Sequence, residues 1–543
     1  MKGNIVKLSL VFAILLFIPT TSSATAEKVP EWVKNNAAWW SEDQIDDQAF
    51  VKSLEFLVNE KIIKVTASNA DTKKATEIPT WVKTTAAWWS DGTISEDEFF
   101  SAVEFLVNSN IISVGNNHSD TPLLSTDGEV VMIAQETEAQ KANSAPIKEE
   151  WMMHPKPGDK IDYPGVAIDT TRNAIHVTYG STIGGESNIF LKTSYDGGKT
   201  FDEPVRVNTV ENKAEMPHAN PAYVDMGPNG EIYVLYNVPF DGPEWVEKGF
   251  GHGYTALYIT KSTDGGKTFS PAQMIDPQTG PDAPRGMLHS KTFDSMHVSE
   301  DGKVYVSWLD SRGKQNGAYI PTEVKTTWSD DGLKTFSKAV TVKTKVCQCC
   351  VTSTCTDSKG GVYVQYRNII GNYGEPNYRD IVVSASHDGG MNWNTPELVA
   401  DDGFEIDNCP HSTSTITTDS YGNLHSAWWT QGGQSPGTYY AASEDGGLTW
   451  TKPLFIEGDS EWFPATQIKI VMDSNENPVI VWTNRTVEGG AVKHTTIIDG
   501  QVTDIIELGN GDHAWSDSDG GVTALVWKAN DGRILIKSWN DNA

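Results

Sequence analysis

The residues of this chain best suited to chemistry are its imidazoles and sulfurs. Four short stretches carry them: Met216-Pro-His218-Ala, Met287-Leu-His289-Ser, Cys347-Gln-Cys349-Cys350 and Cys409-Pro-His411-Ser. Each precedes a strand-like alternating run, so each delivers His or Cys to a similar position in successive structural units. If the starts of those strands converge, His218, His289, Cys349, Cys350, Cys409 and His411 meet, with Cys347 close by. Neutral imidazole and thiolate are the usual donors for Zn²⁺, Cu⁺ and Cu²⁺, and soft sulfur mixed with imidazole favours copper or zinc over magnesium or calcium. The same residues are open to disulfide chemistry. In an oxidising compartment Cys409 would bridge Cys349 or Cys350, and Cys347 would pair within the cluster. Cys355, offset from the others, would remain as a buried thiol. The histidines would then be polar residues of a substrate pocket.

A second set is ionic. Arg312 follows Trp308-Leu-Asp310-Ser, Arg367 follows Tyr366, and Arg485 follows Trp482-Thr-Asn. Each comes just after a strand signal, in three different units. A guanidinium fork binds a carboxylate through two parallel hydrogen bonds, so these arginines suit an anionic substrate. The alternative for each is a structural ion pair. Asp310, Glu375 and Asp380 share that face and suit acid/base catalysis. Trp429 offers an aromatic face on which a sugar could stack, beside a core Trp428.

The elements that must position these groups are announced by five near-identical stretches. They read Ser194-Tyr-Asp-Gly-Gly-Lys-Thr-Phe201, Ser262-Thr-Asp-Gly-Gly-Lys-Thr-Phe269, Ser329-Asp-Asp-Gly-Leu-Lys-Thr-Phe336, Ser386-His-Asp-Gly-Gly-Met-Asn-Trp393 and Ser443-Glu-Asp-Gly-Gly-Leu-Thr-Trp450. Asp-Gly supplies a tight hairpin turn, and the following aromatic can pin that turn to the body of its unit. Copies at this spacing predict an array of four-stranded antiparallel units. Seven strand signals accompany them, at Asn173–Tyr179, Gly230–Tyr236, Gly302–Trp308, Gly361–Tyr366, Gly422–Trp428, Asn477–Trp482 and Gly521–Trp527.

This pattern resembles the Asp-box (BNR) repeat of the sialidase superfamily of β-propellers, over roughly residues 151–543. The resemblance implies a mainly β fold, a six- or seven-bladed propeller, and the strand signals favour seven. It places the starts of the first strands around the axis and the working site at the axial mouth, away from the Asp boxes. It also implies a glycan substrate gripped by three arginines, an acid/base Asp and a Tyr–Glu nucleophile pair. One departure matters. The Phe/Tyr-Arg-Ile-Pro motif that carries the first arginine is absent, and the corresponding stretch is Ile161-Asp-Tyr163-Pro-Gly-Val. The catalytic set therefore does not carry over residue by residue, and no tyrosine is assigned as nucleophile.

The chain has 543 residues, too many for one compact core. Its formal charge of −30 argues against nucleic acid as a partner. Lys2 and Lys7 precede the apolar run Leu8–Ile18, and Ala24-Thr-Ala26 is a small-residue cleavage pattern, so residues 1–26 read as a signal peptide. That reading makes the protein secreted or cell-surface. Residues 27–70 and 76–115 are predicted as two helical repeats, in which Pro30-Glu-Trp32-Val-Lys34-Asn-Asn-Ala-Ala-Trp39-Trp40-Ser returns as Pro79-Thr-Trp81-Val-Lys83-Thr-Thr-Ala-Ala-Trp88-Trp89-Ser. They resemble Trp-rich modules found in tandem on exported archaeal proteins. That resemblance implies an archaeal source and a cell-surface or cell-wall polymer as partner; alternatively the tryptophans are simply the module's core. Residues 116–150 read as a polar linker before the domain spanning 151–543. Three function classes follow: a sialidase-like protein that binds or cleaves extracellular glycans or other anionic substrates, a copper- or zinc-centred propeller with a redox or hydrolytic site, or a non-enzymatic adhesion module.

Overall fold

The structure is a computed structural model that describes residues 80–95, 125–135, 160–209, 222–239, 255–276, 290–311, 321–370, 378–406, 412–458, 467–486 and 489–541, with isolated positions between them. The chain divides into two units, residues 1–119 and 120–543. The segment read as a signal peptide and most of the first repeat lie outside the described residues. No helix among the described residues is long and apolar enough to cross a membrane.

In the first unit, helix α1 (Thr80–Ser90) buries Trp89, whose ring stacks on Phe99 at 4.0 Å. Lys34 lies over the Trp89 ring and Lys83 over the Trp40 ring, each at 5.5 Å. Lys34 and Lys83 occupy equivalent places in the two sequence repeats, as do Trp40 and Trp89, so the two cation–π contacts are reciprocal. Trp40 and Trp89 are core, whereas Trp81 and Trp88 stand 46 % and 49 % exposed.

The second unit is built from antiparallel strands. Five four-stranded sheets follow one another along the chain, and an eight-stranded sheet closes the series. Their first strands are β2 (Lys160–Asp169), β3 (Tyr223–Met226), β4 (Ser290–Val298), β5 (Ser353–Thr356), β6 (Ser414–Thr418), β7 (Ile468–Met472) and β8 (Ile506–Asp519). Strand β8 serves twice. Its beginning is the outer partner of the strand Gly489–Ile498, and its end is the first strand of the last four-stranded portion. Packing relates the first strands in order, β2 to β3 and so on to β8, and β8 returns to β2. Side chains fasten several of these neighbours: Ile168 N–H donates to Asp517 Oδ2 (2.8 Å), Val298 N–H to Asp225 Oδ2 (2.8 Å) and Ile416 N–H to Ser353 Oγ (3.1 Å).

One boundary differs from the sequence reading. Val130–Gln135, inside the stretch read as linker, forms a strand (β1) that pairs with the C-terminal strand β9 (Arg533–Asn540). The β-branched run Val130-Val-Met-Ile133 suits a sheet edge, and Ile133 is buried.

The Asp boxes share one geometry. In the second, Ser262 Oγ donates to Asp264 Oδ1 (2.7 Å), Gly266 N–H donates to Ser262 Oγ (2.9 Å), and Thr268 gives both its N–H and its hydroxyl to the Asp264 carboxylate. The closing aromatics Phe201, Phe269, Phe336, Trp393 and Trp450 pack onto the sheet cores as the pattern requires. The second glycine position has positive φ throughout. In the third box Leu333 holds it at φ 69° while burying its side chain in the core.

Candidate functional site

Antiparallel pairing puts the start of each first strand at the end of its sheet away from the Asp box. Three of these starts are bent. Register shifts occur at Asp162/Gly165 in β2, Thr292/Ser295 in β4 and Asp512/Trp515 in β8. Each bulge holds a non-glycine residue at positive φ: Tyr163 (52°), Phe293 (52°) and His513 (55°). Bulges re-aim side chains, and left-handed backbone at bulky residues is strained, so three such residues at equivalent places single out this rim as the candidate site.

The β2 and β8 bulges face one another. The Asp162 carboxylate is hydrogen-bonded to His513 Nδ1, and the Tyr163 ring stacks on the imidazole at 4.1 Å. Lys160 Nζ lies 3.3 Å from Asp162 Oδ2 and 5.0 Å from the Tyr163 ring centre, and Lys528 Nζ lies 3.9 Å from the same carboxylate oxygen. Burial alone would raise the Asp162 pKa, but the charges of His513, Lys528 and Lys160 outweigh it and hold the carboxyl well below the usual range. His513 Nε2 sits 3.9 Å from Asp512 Oδ2, beyond hydrogen-bond length. The arrangement is an imidazole fixed by a buried carboxylate, with two partly exposed ammonium groups beside it. It suits proton transfer next to an anion.

Around the β4 bulge the chemistry is sulfur. Cys347, Cys349 and Cys350 form one buried cluster, and Phe293 packs against it. Cys347 Sγ lies 3.6 Å from Cys349 Sγ and 3.3 Å from Cys350 Sγ, and the three ligand atoms lie within 4.8 Å of one another. None of these, nor Cys355, is in a disulfide. Hydrogen bonds from Cys349 and Cys350 hold the Cys347 thiol well below its ordinary range against the cost of burial, helped by Arg379 and Arg367. Burial pushes the Cys350 thiol up. Arg379 Nη1 donates to Cys347 Sγ at 3.4 Å. This trio is the set of described residues that could hold a metal. Cys355 is the buried thiol expected within its strand, raised by desolvation.

The other residues singled out in the sequence fall differently. Trp429 is 1 % exposed and cannot stack a sugar, which corrects the sequence reading: both faces of its strand are covered, and its ring meets Phe404 edge-on at 5.6 Å. Arg367 is buried too. Its Nη1 donates to the Arg379 carbonyl (2.6 Å) and its Nη2 to the Trp429 carbonyl (2.7 Å) and Ser412 Oγ (3.2 Å), so it fastens neighbouring sheets and offers no carboxylate clamp. Asp380 accepts the N–H groups of Gly403 and Phe404 and anchors that loop. Asp310 is fully buried between Trp308 Nε1 (3.4 Å) and Lys325 Nζ (4.0 Å). These two carboxylates thus have structural partners where direct acid/base work was expected. His218, His289, Cys409, His411, Arg312 and Glu375 lie outside the described residues, as does the side chain of Arg485.

The BNR repeat-like domain family matches residues 179–420. Solved structures with similarity to the chain include a Hadza microbial sialidase (14 % identity over 66 % of this chain and 74 % of that one, TM-score 0.41). Polysaccharide lyase Uly1 is 12 % identical over 76 % of this chain and 99 % of its own, with a TM-score of 0.44. The α-L-arabinofuranosidase Arb93A from Fusarium graminearum is 13 % identical over 64 % and 93 %, with a TM-score of 0.41. No curated protein matches the chain.

Sequence reasoning passed over Asp162, His513, Lys160 and Lys528. Asp162 and Tyr163 stood in the very stretch noted for its lack of arginine. The usable signal was an alignment of the strand starts, which sets Asp162-Tyr163 beside Asp512-His513: an acid followed by a ring, at two bulges.

Proposed function

We propose that residues 120–543 form a seven-bladed Asp-box β-propeller, exported to the cell surface, which binds and cleaves an acidic extracellular glycan at the mouth formed by the starts of β2 and β8. The observation that carries this reading is the Asp162–His513 pair, set on two facing bulges and flanked by Lys160 and Lys528. The cyclic packing of seven first strands supports the blade count, and the matching BNR repeat-like family supports the superfamily. Asp162 accepts the Nδ1 proton and fixes the imidazole tautomer, which leaves Nε2 to give or take a proton at the glycosidic bond or at a carbon beside a carboxylate. Lys160 and Lys528 neutralise the sugar acid. The stacked Tyr163 keeps the imidazole from turning.

The test compares uronate-containing or sulfated polysaccharides with neutral ones, using the full chain and His513→Ala and Lys528→Ala variants. Reducing-end release and unsaturated product distinguish hydrolysis from elimination. Wild-type protein should cleave an acidic polymer. His513→Ala should lower kcat by about 10²–10⁴-fold, and Lys528→Ala should chiefly raise KM. Equal handling of neutral and acidic polymers, or full activity in His513→Ala, would sink the proposal.

A further inference from the structure

We infer that Cys347, Cys349 and Cys350 form a binding site for one thiophilic closed-shell cation, Cu⁺ or Zn²⁺, contained within a single loop. A metal–sulfur bond of about 2.3 Å sets sulfurs sharing an ion roughly 3.8 Å apart. Here they are 3.3 and 3.6 Å apart on two edges, with all three ligand atoms inside 4.8 Å. A disulfide would need about 2.05 Å. The three cysteines are buried in a cluster that Phe293 covers in part, so hard, strongly hydrated cations are disfavoured and soft ones favoured.

The loop is held at both ends independently of any ion. Cys347 N–H donates to the Arg367 carbonyl (3.0 Å), and Thr352 gives its N–H and its hydroxyl to the Phe293 carbonyl (both 3.0 Å). The strained Phe293 therefore both caps the sulfurs and clamps the loop's exit. Three thiolates around one ion leave excess negative charge, and Arg379 Nη1, 3.4 Å from Cys347 Sγ, supplies the compensating charge from outside the ligand set. Binding releases the thiol protons. The sequence suggested ligands gathered from four units; of that set the described residues bring together Cys349 and Cys350, and Cys347 joins them as the hub. This inference does not rest on the glycan reading, whose residues are on β2, β8 and the strand Val522–Ala529.

The test uses the full chain, purified anaerobically with reductant, loaded separately with Cu⁺ and Zn²⁺ and desalted. Bound metal is counted by mass spectrometry beside alkylation mapping of each cysteine. The expected result is roughly one ion per chain, with Cys347, Cys349 and Cys350 protected from alkylation and a raised Tm. Cys355→Ser should retain the ion; Cys347→Ser and Cys350→Ser should lose it while circular dichroism shows a folded β protein. If a serine variant fails to fold, alkylation protection in the intact protein decides. Absence of ion from folded, reduced wild-type protein, or retention in both serine variants, overturns the site.

Discussion

At the scale of the residue, the decisive group is Asp162. It is buried, yet its neighbours His513, Lys528 and Lys160 keep it ionised. A carboxyl whose folded pKa is depressed contributes stability that is present above its ordinary value near 4 and is lost as pH falls through the folded one. Asp162→Asn should therefore lower Tm at pH 7 and leave Lys160 and Lys528 in uncompensated repulsion, while the difference from wild type narrows in strong acid. The same variant should reduce kcat more than it changes KM, because an amide can turn its NH₂ toward the imidazole and no longer fixes the tautomer, while the ammonium groups remain. Thermal unfolding at pH 7 and pH 2, with steady-state kinetics on an acidic glycan, checks both parts; an unchanged pH profile would remove Asp162 from its assigned role.

At the scale of the element, the first strands carry a second electrostatic feature. Burial pushes Asp225 up to about 6, and burial with the nearby Asp225 pushes Asp517 up to about 7. Lys469 offsets this only in part, and Asp519 adds to it. For raised carboxyls the sign reverses: their contribution is full below the ordinary carboxylate value and is lost as pH rises through 6 and 7. Asp517→Asn keeps an oxygen for the Ile168 N–H and removes a charge, so its Tm should match wild type near pH 4 and exceed it at pH 8. The turns give a steric counterpart. A Cβ at Gly266, where φ is +87°, would come 2.7 Å from Leu191 Cδ2, so Gly266→Ala should destabilise by about 1–2 kcal/mol or more in denaturant titration. These turns and strands were legible in the sequence because Asp-Gly chemistry and period-two alternation are local signals. The site was less so. Trp429 looked available because alternation assigns one face of a strand to solvent, but stacked sheets cover both faces. Asp162 and His513 escaped notice because their pairing depends on two bulges 351 positions apart, which no local pattern encodes.

At the scale of the molecule, hydrogen bonds and packing join the first and last sheets of the second unit. Strand β1 comes from before the first four-stranded sheet and completes the last one, against β9. Thr126 and Ser538 exchange hydrogen bonds through backbone and hydroxyl at 2.9–3.0 Å, and Ser538 Oγ also donates to the carbonyl of Gly197 in the first Asp box (2.9 Å). The last sheet is thus tied to the first through a segment that composition alone labels a linker. Ile133 is the apolar anchor of that segment, buried in the same core cluster as Ile168, Ile534 and Ile536. Ile133→Asp puts an unpaired charge into that cluster, while Ile133→Val removes only a methylene. Aspartate should cost about 3 kcal/mol or more, and valine about 0.5–1.5 kcal/mol. Loss of β1 would also uncover the edge of β9, and an uncovered edge recruits other chains. The aspartate variant should therefore show both a lower Tm and concentration-dependent association by light scattering, whereas valine shows only a small Tm shift. If Ile133→Asp unfolds like wild type and stays monodisperse, β1 is an accessory strand and the sheets of residues 151–543 hold together without it.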